Sequence, residues 1–144
     1  MRQGGTRATS LCEILDCGPA GYSPLVDHGA WRVASLRPVF PLPPEQLGVV
    51  ERHTESDEVF VLLEGKVVLV IAGHGPKPGS IQPLVMDPGK VYNVRRDTWH
   101  TALLGRDSLV LVVENRDTGP ANTEFAPLSP GQQSRMREVW EPVG

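Results

Sequence analysis

Short runs rich in valine, leucine and isoleucine recur along this chain, and glycine and proline lie between them. Because glycine and proline favour turns or prevent strand pairing, this spacing is typical of β-strands. Strands are predicted at WRVASLR (31–37), LGVVERH (47–53), EVFVLLEG (58–65), KVVLVIA (66–72), IQPLVM (81–86), KVYNV (90–94), WHTALL (99–104) and SLVLVVEN (108–115). Their number and spacing predict an all-β sandwich or barrel.

One helix is predicted, close to the C-terminus. Ser129 can cap it, Pro130 suits the first helical position, and Gln132 can reach back to complete a capping box before QQSRMREVW. This helix is expected to lie against the outside of the β body. The first ten residues offer little apolar surface to offset the cost of ordering them, so they are expected to be unstructured or to form an arm.

Two of the predicted strands contain the runs VVLVIA and LVLVVEN, which lack outward polar alternation. Both faces of these strands therefore need cover, and an open sheet edge needs a partner or an arm. We expect a homodimer.

Length and charge narrow the class of partner. The 144 residues fit one domain, and the net charge of −3 with no basic block leaves no footprint for nucleic acid or an anionic membrane. The expected partner is a small molecule. No apolar stretch is long enough to cross a bilayer, and MRQGGTRATS does not resemble a secretory signal, so a cytoplasmic location is expected. Cys12 and Cys17 lack CxxC spacing and are expected to be free thiols.

The candidate chemistry lies in ERHTESDEVFVLLEG (51–65), where a dense group of charges precedes an apolar strand. A solvated loop is the simplest interpretation of such a charge run. However, Glu51 and His53 are two residues apart in a strand and point the same way. Glu58 adjoins apolar surface, where an ionised carboxylate needs a compensating cation or hydrogen bonds. With the distant His100, which opens another predicted strand, these residues fit a metal site.

The same residues resemble the first sequence motif of the cupin family, which is His, any residue, His, four residues, Glu, six residues, Gly. Here His53, Glu58 and Gly65 keep the spacing, and Glu51 stands where the first histidine is expected. Together with a second motif this signal is fairly specific, although either motif alone is weak.

The second cupin motif is Gly, five residues, Pro, one residue, Gly, two residues, His. Gly89 and His100 hold its ends, but Arg95 replaces the proline and Asp97 replaces the second glycine. The resemblance covers residues 48 to 115 well, and the flanks only as compatible strands and helix.

The resemblance implies a double-stranded β-helix, a jelly-roll barrel with a metal ion inside. The implied ligands are His53, Glu58 and His100, with Glu51 in the place of the missing histidine. This set suits iron, manganese, zinc or nickel as the one divalent ion. The implied organisation is an arm, a cupin barrel and a C-terminal helix packed on it, over residues 1–10, 11–128 and 129–144.

The resemblance does not fix a reaction, because cupins include isomerases, lyases, decarboxylases and dioxygenases. One hypothesis is a metal-dependent enzyme acting on a small polar metabolite. The alternative is a non-catalytic module that binds a small ligand, with a structural metal or none. Candidates to line the pocket are Phe60, Leu62, Tyr92, Asn93 and Ala102. Arginines that could bind an anionic substrate are Arg32, Arg95 and Arg96.

Overall fold

The structure is a computed structural model that describes residues 6–8, 11–42 and 44–143. Two 3₁₀ turns, Pro44–Leu47 and Pro120–Asn122, interrupt a succession of strands and one helix. The strands are β1 (Thr6–Ala8), β2 (Glu13–Leu15), β3 (Gly21–His28), β4 (Trp31–Arg37), β5 (Val49–His53), β6 (Glu58–Glu64), β7 (Val67–Ile71), β8 (Gln82–Val85), β9 (Val91–Val94), β10 (His100–Leu104), β11 (Leu109–Asn115) and β12 (Thr123–Pro127). The helix is α1 (Pro130–Trp140).

Two antiparallel sheets of five strands each form the body of the molecule. The first sheet has the order β12-β5-β10-β7-β8, and the second has the order β3-β4-β11-β6-β9. Side chains from both sheets meet in one apolar core, which includes Phe60 and Val112 from the second sheet and Leu69 and Leu104 from the first. Sequential strands alternate between the sheets in several places, as in a jelly roll. The predicted double-stranded β-helix is confirmed.

Each of the eight predicted strands is present, with ends within two residues of the prediction. The strands that the sequence pattern missed include β3 and β12, and both lie at a sheet edge. β3 carries Pro24, and its register with β4 shifts between Pro24 and Val26, as is typical of a bulge. β12 exposes 63% of Phe125. Edge strands bury few apolar side chains, so their sequences lack the pattern on which the prediction depended.

Helix α1 begins with the predicted capping box. Ser129 Oγ accepts a hydrogen bond from the Gln132 backbone N–H at 3.2 Å, and Gln132 Oε1 accepts one from the Ser129 N–H at 2.8 Å. The helix buries Met136 and Val139 against a second apolar cluster on the outer face of the first sheet. Val70 of β7 belongs to that cluster. The unalternated run VVLVIA is therefore covered by the chain's own helix, and for this strand no partner subunit is needed.

The N-terminal segment pairs with itself where it is described. β1 and β2 form a separate two-stranded antiparallel sheet. β1 lies within the segment expected to be unstructured or an arm, and the other residues of that segment (1–5, 9 and 10) lie outside the described residues. Cys12 and Cys17 are not joined by a disulfide. Among the described helices, none is long and apolar enough to cross a membrane.

Candidate metal centre

The four residues that the motifs single out lie together at one end of the barrel. Glu51 and His53 project from β5 with the two-residue spacing of one strand face, and His100 opens the adjacent β10, where it pairs with Glu51. Glu58 opens β6 in the opposite sheet. The first sheet thus supplies three of the side chains, and the second sheet supplies a carboxylate across the barrel interior.

The ligand atoms of these four residues all lie within 4.8 Å of one another. Glu58 Oε1 is 3.0 Å from His53 Nε2 and 3.0 Å from His100 Nε2, and Glu51 Oε2 is 3.5 Å from His53 Nε2. Ligand atoms bound about 2.1 Å from a common ion, at octahedral or tetrahedral angles, lie about 3.0 to 3.4 Å apart. The two separations of 3.0 Å lie in that range and the separation of 3.5 Å is slightly above it, so the cluster could bind a metal ion.

The second ring nitrogen of each histidine has a hydrogen-bonding partner. His100 Nδ1 donates to the Thr98 carbonyl oxygen at 2.8 Å, and His53 Nδ1 lies 2.9 Å from Thr123 Oγ1. Because a carbonyl oxygen only accepts, the proton of a neutral His100 is on Nδ1, and its Nε2 presents a lone pair. That lone pair faces the Glu58 carboxylate at 3.0 Å, so two acceptors converge, and either a metal ion or a proton between them relieves their repulsion. Outer contacts of this kind orient metal-binding histidines.

The pKa shifts of Glu58 and His53 reflect the attraction between a carboxylate and an imidazole. Burial alone would raise the pKa of Glu58, but hydrogen bonds and charge from His100 and His53 outweigh burial and hold this pKa below its ordinary value. Burial would lower the pKa of His53, but the bond to Glu58 raises it. Burial raises the pKa of Glu51, with partial compensation from the two histidines.

The turn before His100 shows how the departures from the second motif are accommodated. Asp97, in the place of the expected glycine, has φ of 66°, a left-handed conformation that aspartate tolerates better than most residues. Its backbone N–H donates to the His53 carbonyl oxygen at 2.8 Å. Asp57 accepts from the Arg96 N–H at 2.8 Å. These bonds hold the turn against the end of β5, so His100 is positioned without the glycine.

The glycine that ends the first motif has a direct steric reason. Gly65 has φ of +79°, and a Cβ at this position would lie 2.6 Å from Ser108 Cα. No side chain fits so close to a neighbouring backbone. The turn between β6 and β7 therefore requires glycine.

A cavity of about 420 Å³ adjoins the cluster of Glu51, His53, Glu58 and His100, and these four residues form part of its wall. Phe60 and Ala102, two of the predicted pocket residues, line this cavity. Leu62 is buried in the apolar core instead and borders a different cavity under α1. Tyr92 is not among the residues of the cavity wall, and its hydroxyl accepts a hydrogen bond from the Asp87 backbone N–H at 2.8 Å.

Asn93 also lies away from the cavity, since its amide donates to Asp57 at 3.1 Å on the exposed side of β9. Leu62, Tyr92 and Asn93 are thus not among the described residues that line this cavity. The two-residue alternation of a strand shows which face a side chain is on, but it does not show how far the cavity extends along the barrel interior.

The polar residues that line the same cavity but were not predicted from the sequence include Tyr22, Glu114 and Thr118. Tyr22 lies on the unpredicted edge strand β3, and its hydroxyl donates to Glu114 Oε2. Burial and then the charge of Glu58 raise the pKa of Glu114. One signal was present: Glu114 follows Val110 and Val112 at two-residue spacing, so its carboxylate shares their inward face.

The predicted anion-binding arginines do not line this cavity. Arg32 makes a bidentate contact with Asp27, at 2.7 and 3.0 Å. Neither arginine nor lysine occurs among the described residues that form the wall.

The fold has counterparts among solved structures. The chain resembles a cupin-2 domain protein from Shewanella frigidimarina, with a TM-score of 0.50 and 17% identity over 68% of this chain and 84% of that chain. At this level of identity the likeness concerns the fold alone.

Two curated sequence relatives of this chain are both ureidoglycolate lyases. A stretch of 86 residues is 33% identical to a ureidoglycolate lyase of Mesorhizobium japonicum and covers 57% of this chain and 53% of that relative. A ureidoglycolate lyase of a Chelativorans species is 31% identical over 86 residues, covering 57% of this chain and 52% of the relative. The matched stretch spans about half the length of these curated relatives.

The match to the family as a whole is more extensive than either pairwise match. The profile of the ureidoglycolate lyase family matches residues 2–133, which include both sheets and all four residues of the cluster. The chain has a cupin barrel and belongs to the ureidoglycolate lyase family.

Proposed function

We propose that this chain is a metal-dependent lyase that cleaves ureidoglycolate, with one divalent ion held by Glu51, His53, Glu58 and His100. The observation that carries the proposal is the convergence of four ligand atoms within 4.8 Å at the wall of a cavity, in a chain of this family. Two imidazoles with carboxylates form a donor set that suits iron, manganese, nickel or zinc.

The chemistry follows from the substrate. Ureidoglycolate carries a hydroxyl group and a ureido nitrogen on the same carbon. A lyase breaks the bond between this carbon and the ureido nitrogen without adding water. The hydroxyl oxygen forms the carbonyl of glyoxylate, and urea departs. The hydroxyl loses one proton and the leaving nitrogen gains one, so no redox cofactor is consumed. When bound, a divalent ion supplies Lewis acidity that favours loss of the hydroxyl proton.

The protein's own groups support this role in two ways. His53 Nδ1 contacts Thr123 Oγ1, and His100 Nδ1 contacts the Thr98 carbonyl oxygen. These hydrogen bonds keep both Nε2 atoms directed at the centre of the cluster. Phe60, buried at 3% exposure, lines the cavity beside His100 with ring centroids 6.1 Å apart. An apolar wall at this point limits the access of bulk water and strengthens electrostatic interactions within the site.

The test uses protein purified without a histidine tag or chelator, analysed for metal and then supplied with Fe²⁺, Mn²⁺, Ni²⁺ or Zn²⁺. We expect about one ion per chain, and production of urea and glyoxylate in equal amounts without ammonia. Glu58→Ala should abolish the reaction, and the exposed Glu55→Ala should not. A metal-loaded protein that binds ions but does not cleave ureidoglycolate would favour the alternative, a binding module.

We also propose a homodimer in the cytoplasm. The support for the dimer is the outer face of the second sheet, where Val59, Val61, Leu111 and Val113 are only half buried. Val91 on the same sheet is 68% exposed. Apolar surface of this kind is typical of an interface. Light scattering at micromolar concentration tests the dimer, and a monomer mass would contradict it. Cell fractionation tests the location.

A further inference from the structure

Two buried oxygen atoms near the metal cluster lack a hydrogen-bond partner among the described residues, Glu114 Oε1 and Thr118 Oγ1. Both residues line the cavity beside the cluster. Glu114 is only 8% exposed. Buried polar atoms are nearly always paired in folded proteins, and an unpaired one is costly. Two such atoms in one cavity indicate a place that a ligand completes.

The bond to Tyr22 determines which atom of Glu114 is available. The Tyr22 hydroxyl donates to Oε2, so this oxygen is engaged and the orientation of the carboxylate is fixed. Burial and the neighbouring Glu114 carboxylate raise the pKa of Tyr22, which keeps the donated proton on the hydroxyl. Oε1 is therefore the acceptor that faces no protein donor.

The charges in the cavity wall determine what kind of group can lie there. The wall carries the carboxylates of Glu51, Glu58 and Glu114, and no arginine or lysine is among its described residues. An anionic part of a substrate therefore has no cationic side chain to contact here. It belongs on the side of the metal cluster, and the Glu114 side suits a neutral group with N–H donors.

We propose that Glu114 and Thr118 form a subsite for the carbamoyl end of the substrate. Glu114 Oε1 accepts hydrogen bonds from carbamoyl N–H groups, and the Thr118 hydroxyl donates to the carbamoyl oxygen. The two side chains then complement the donors and acceptor of a urea-like group. This inference rests on the proposed function for the identity of the substrate, but not for the presence of the subsite.

The role follows from the chemistry of recognition. A site with a buried acceptor rejects an analogue that lacks the matching N–H, because the acceptor is then left unpaired. Glu114 and Thr118 are accordingly specificity-determining residues. Glycolate, which has the carboxylate and hydroxyl but no carbamoyl group, should bind without using them.

The experiment measures binding of two probes by calorimetry to protein loaded with Mn²⁺, with metal content checked in every sample. N-carbamoylglycine carries the carbamoyl group, and glycolate does not. Glu114→Gln keeps the shape and can still accept from Tyr22, but it presents an N–H donor to the cavity. Thr118→Val removes the hydroxyl at nearly constant volume, and Thr118→Ser restores it. The exposed Glu55→Gln is the matched control for loss of one negative charge.

Glu114→Gln is expected to weaken N-carbamoylglycine binding about 10- to 100-fold and to change glycolate binding less than twofold, since the acceptor of a carbamoyl N–H is replaced by an amide N–H. Thr118→Val should weaken N-carbamoylglycine binding several-fold, and Thr118→Ser should recover it. Equal losses for both probes would show that Glu114 acts through the metal and would overturn the proposal. Unchanged binding, or a wild-type protein that does not prefer N-carbamoylglycine, would also overturn it.

Turnover assays on the same samples separate this inference from the proposed function. If wild-type protein does not cleave ureidoglycolate but Glu114→Gln selectively loses N-carbamoylglycine, the lyase proposal fails and the subsite stands. If wild-type protein cleaves ureidoglycolate and Glu114→Gln leaves KM unchanged, the subsite fails and the lyase proposal stands.

Discussion

Glu51 is the residue at which the chain departs from the first cupin motif, and its role in metal binding can be measured. Its Oε2 is 3.5 Å from His53 Nε2, and its side chain is 36% exposed, four times the exposed fraction of the Glu58 side chain at 9%. Glu51→Gln removes the negative charge and keeps the length of the side chain. Glu55→Gln makes the same formal change on an exposed residue outside the cluster.

The magnitude follows from the position of Glu51 at the border of the cluster. The separation of 3.5 Å slightly exceeds the two 3.0 Å separations around Glu58 Oε1, so Glu51 is expected to be a weaker ligand than Glu58. Loss of a ligand or of its supporting partner typically weakens metal affinity about 10- to 100-fold, or about 1.4 to 2.7 kcal/mol. We expect a value in this range for Glu51→Gln and less than a twofold change for Glu55→Gln.

The assay is competition for Mn²⁺ or Zn²⁺ between the protein and a chromophoric chelator, at constant pH and ionic strength. Because the two variants lose the same formal charge, a long-range electrostatic effect cannot reproduce a difference between them. Glu51→His, which restores the missing histidine of the motif, should retain affinity within about tenfold. If Glu55→Gln weakened binding as much as Glu51→Gln, the assignment of Glu51 to the metal would be wrong.

Three further outcomes are expected. Thr123→Val removes the Oγ1 that lies 2.9 Å from His53 Nδ1, and it should weaken metal affinity about tenfold in the same competition assay. An unchanged affinity would show that Thr123 does not orient His53 for metal binding. Met136→Ala truncates a fully buried side chain of α1 and should lower the free energy of unfolding by about 2 to 5 kcal/mol in urea titrations, without affecting metal affinity. Asp57→Asn should lower the melting temperature at neutral pH, because the Arg96 N–H and the Asn93 amide hold the pKa of Asp57 below its usual range. A lowered pKa contributes stability above the unfolded value of about 3.9 and loses it as pH falls through the folded value, so the two melting temperatures should converge in acid. A constant difference down to the acid limit would contradict this.

Local sequence was sufficient for the strands that contribute most of the core and for the start of the helix. Strands such as β6 and β7 carry continuous apolar runs that end at residues unable to continue a ladder, and the capping box requires only residues three apart. The same is true of Glu51 and His53, whose common face follows from the two-residue period of a single strand. The cupin spacing added Glu58 and His100, because the resemblance supplied the long-range pairing that local patterns lack.

The tertiary structure decided which strands are neighbours and which inward positions border a cavity. β10 lies between β5 and β7, and this brings His100 opposite Glu51. Tyr22 and Glu114 are 92 residues apart, and their side chains meet only because β3, β4 and β11 are neighbours in one sheet. Pairing between distant strands depends on the free energy of the whole assembled core rather than on any short segment. The two-residue period of β11 places Glu114 on the same face as Val110 and Val112, but only the closed barrel places it in one cavity wall with Glu51, His53, Glu58 and His100.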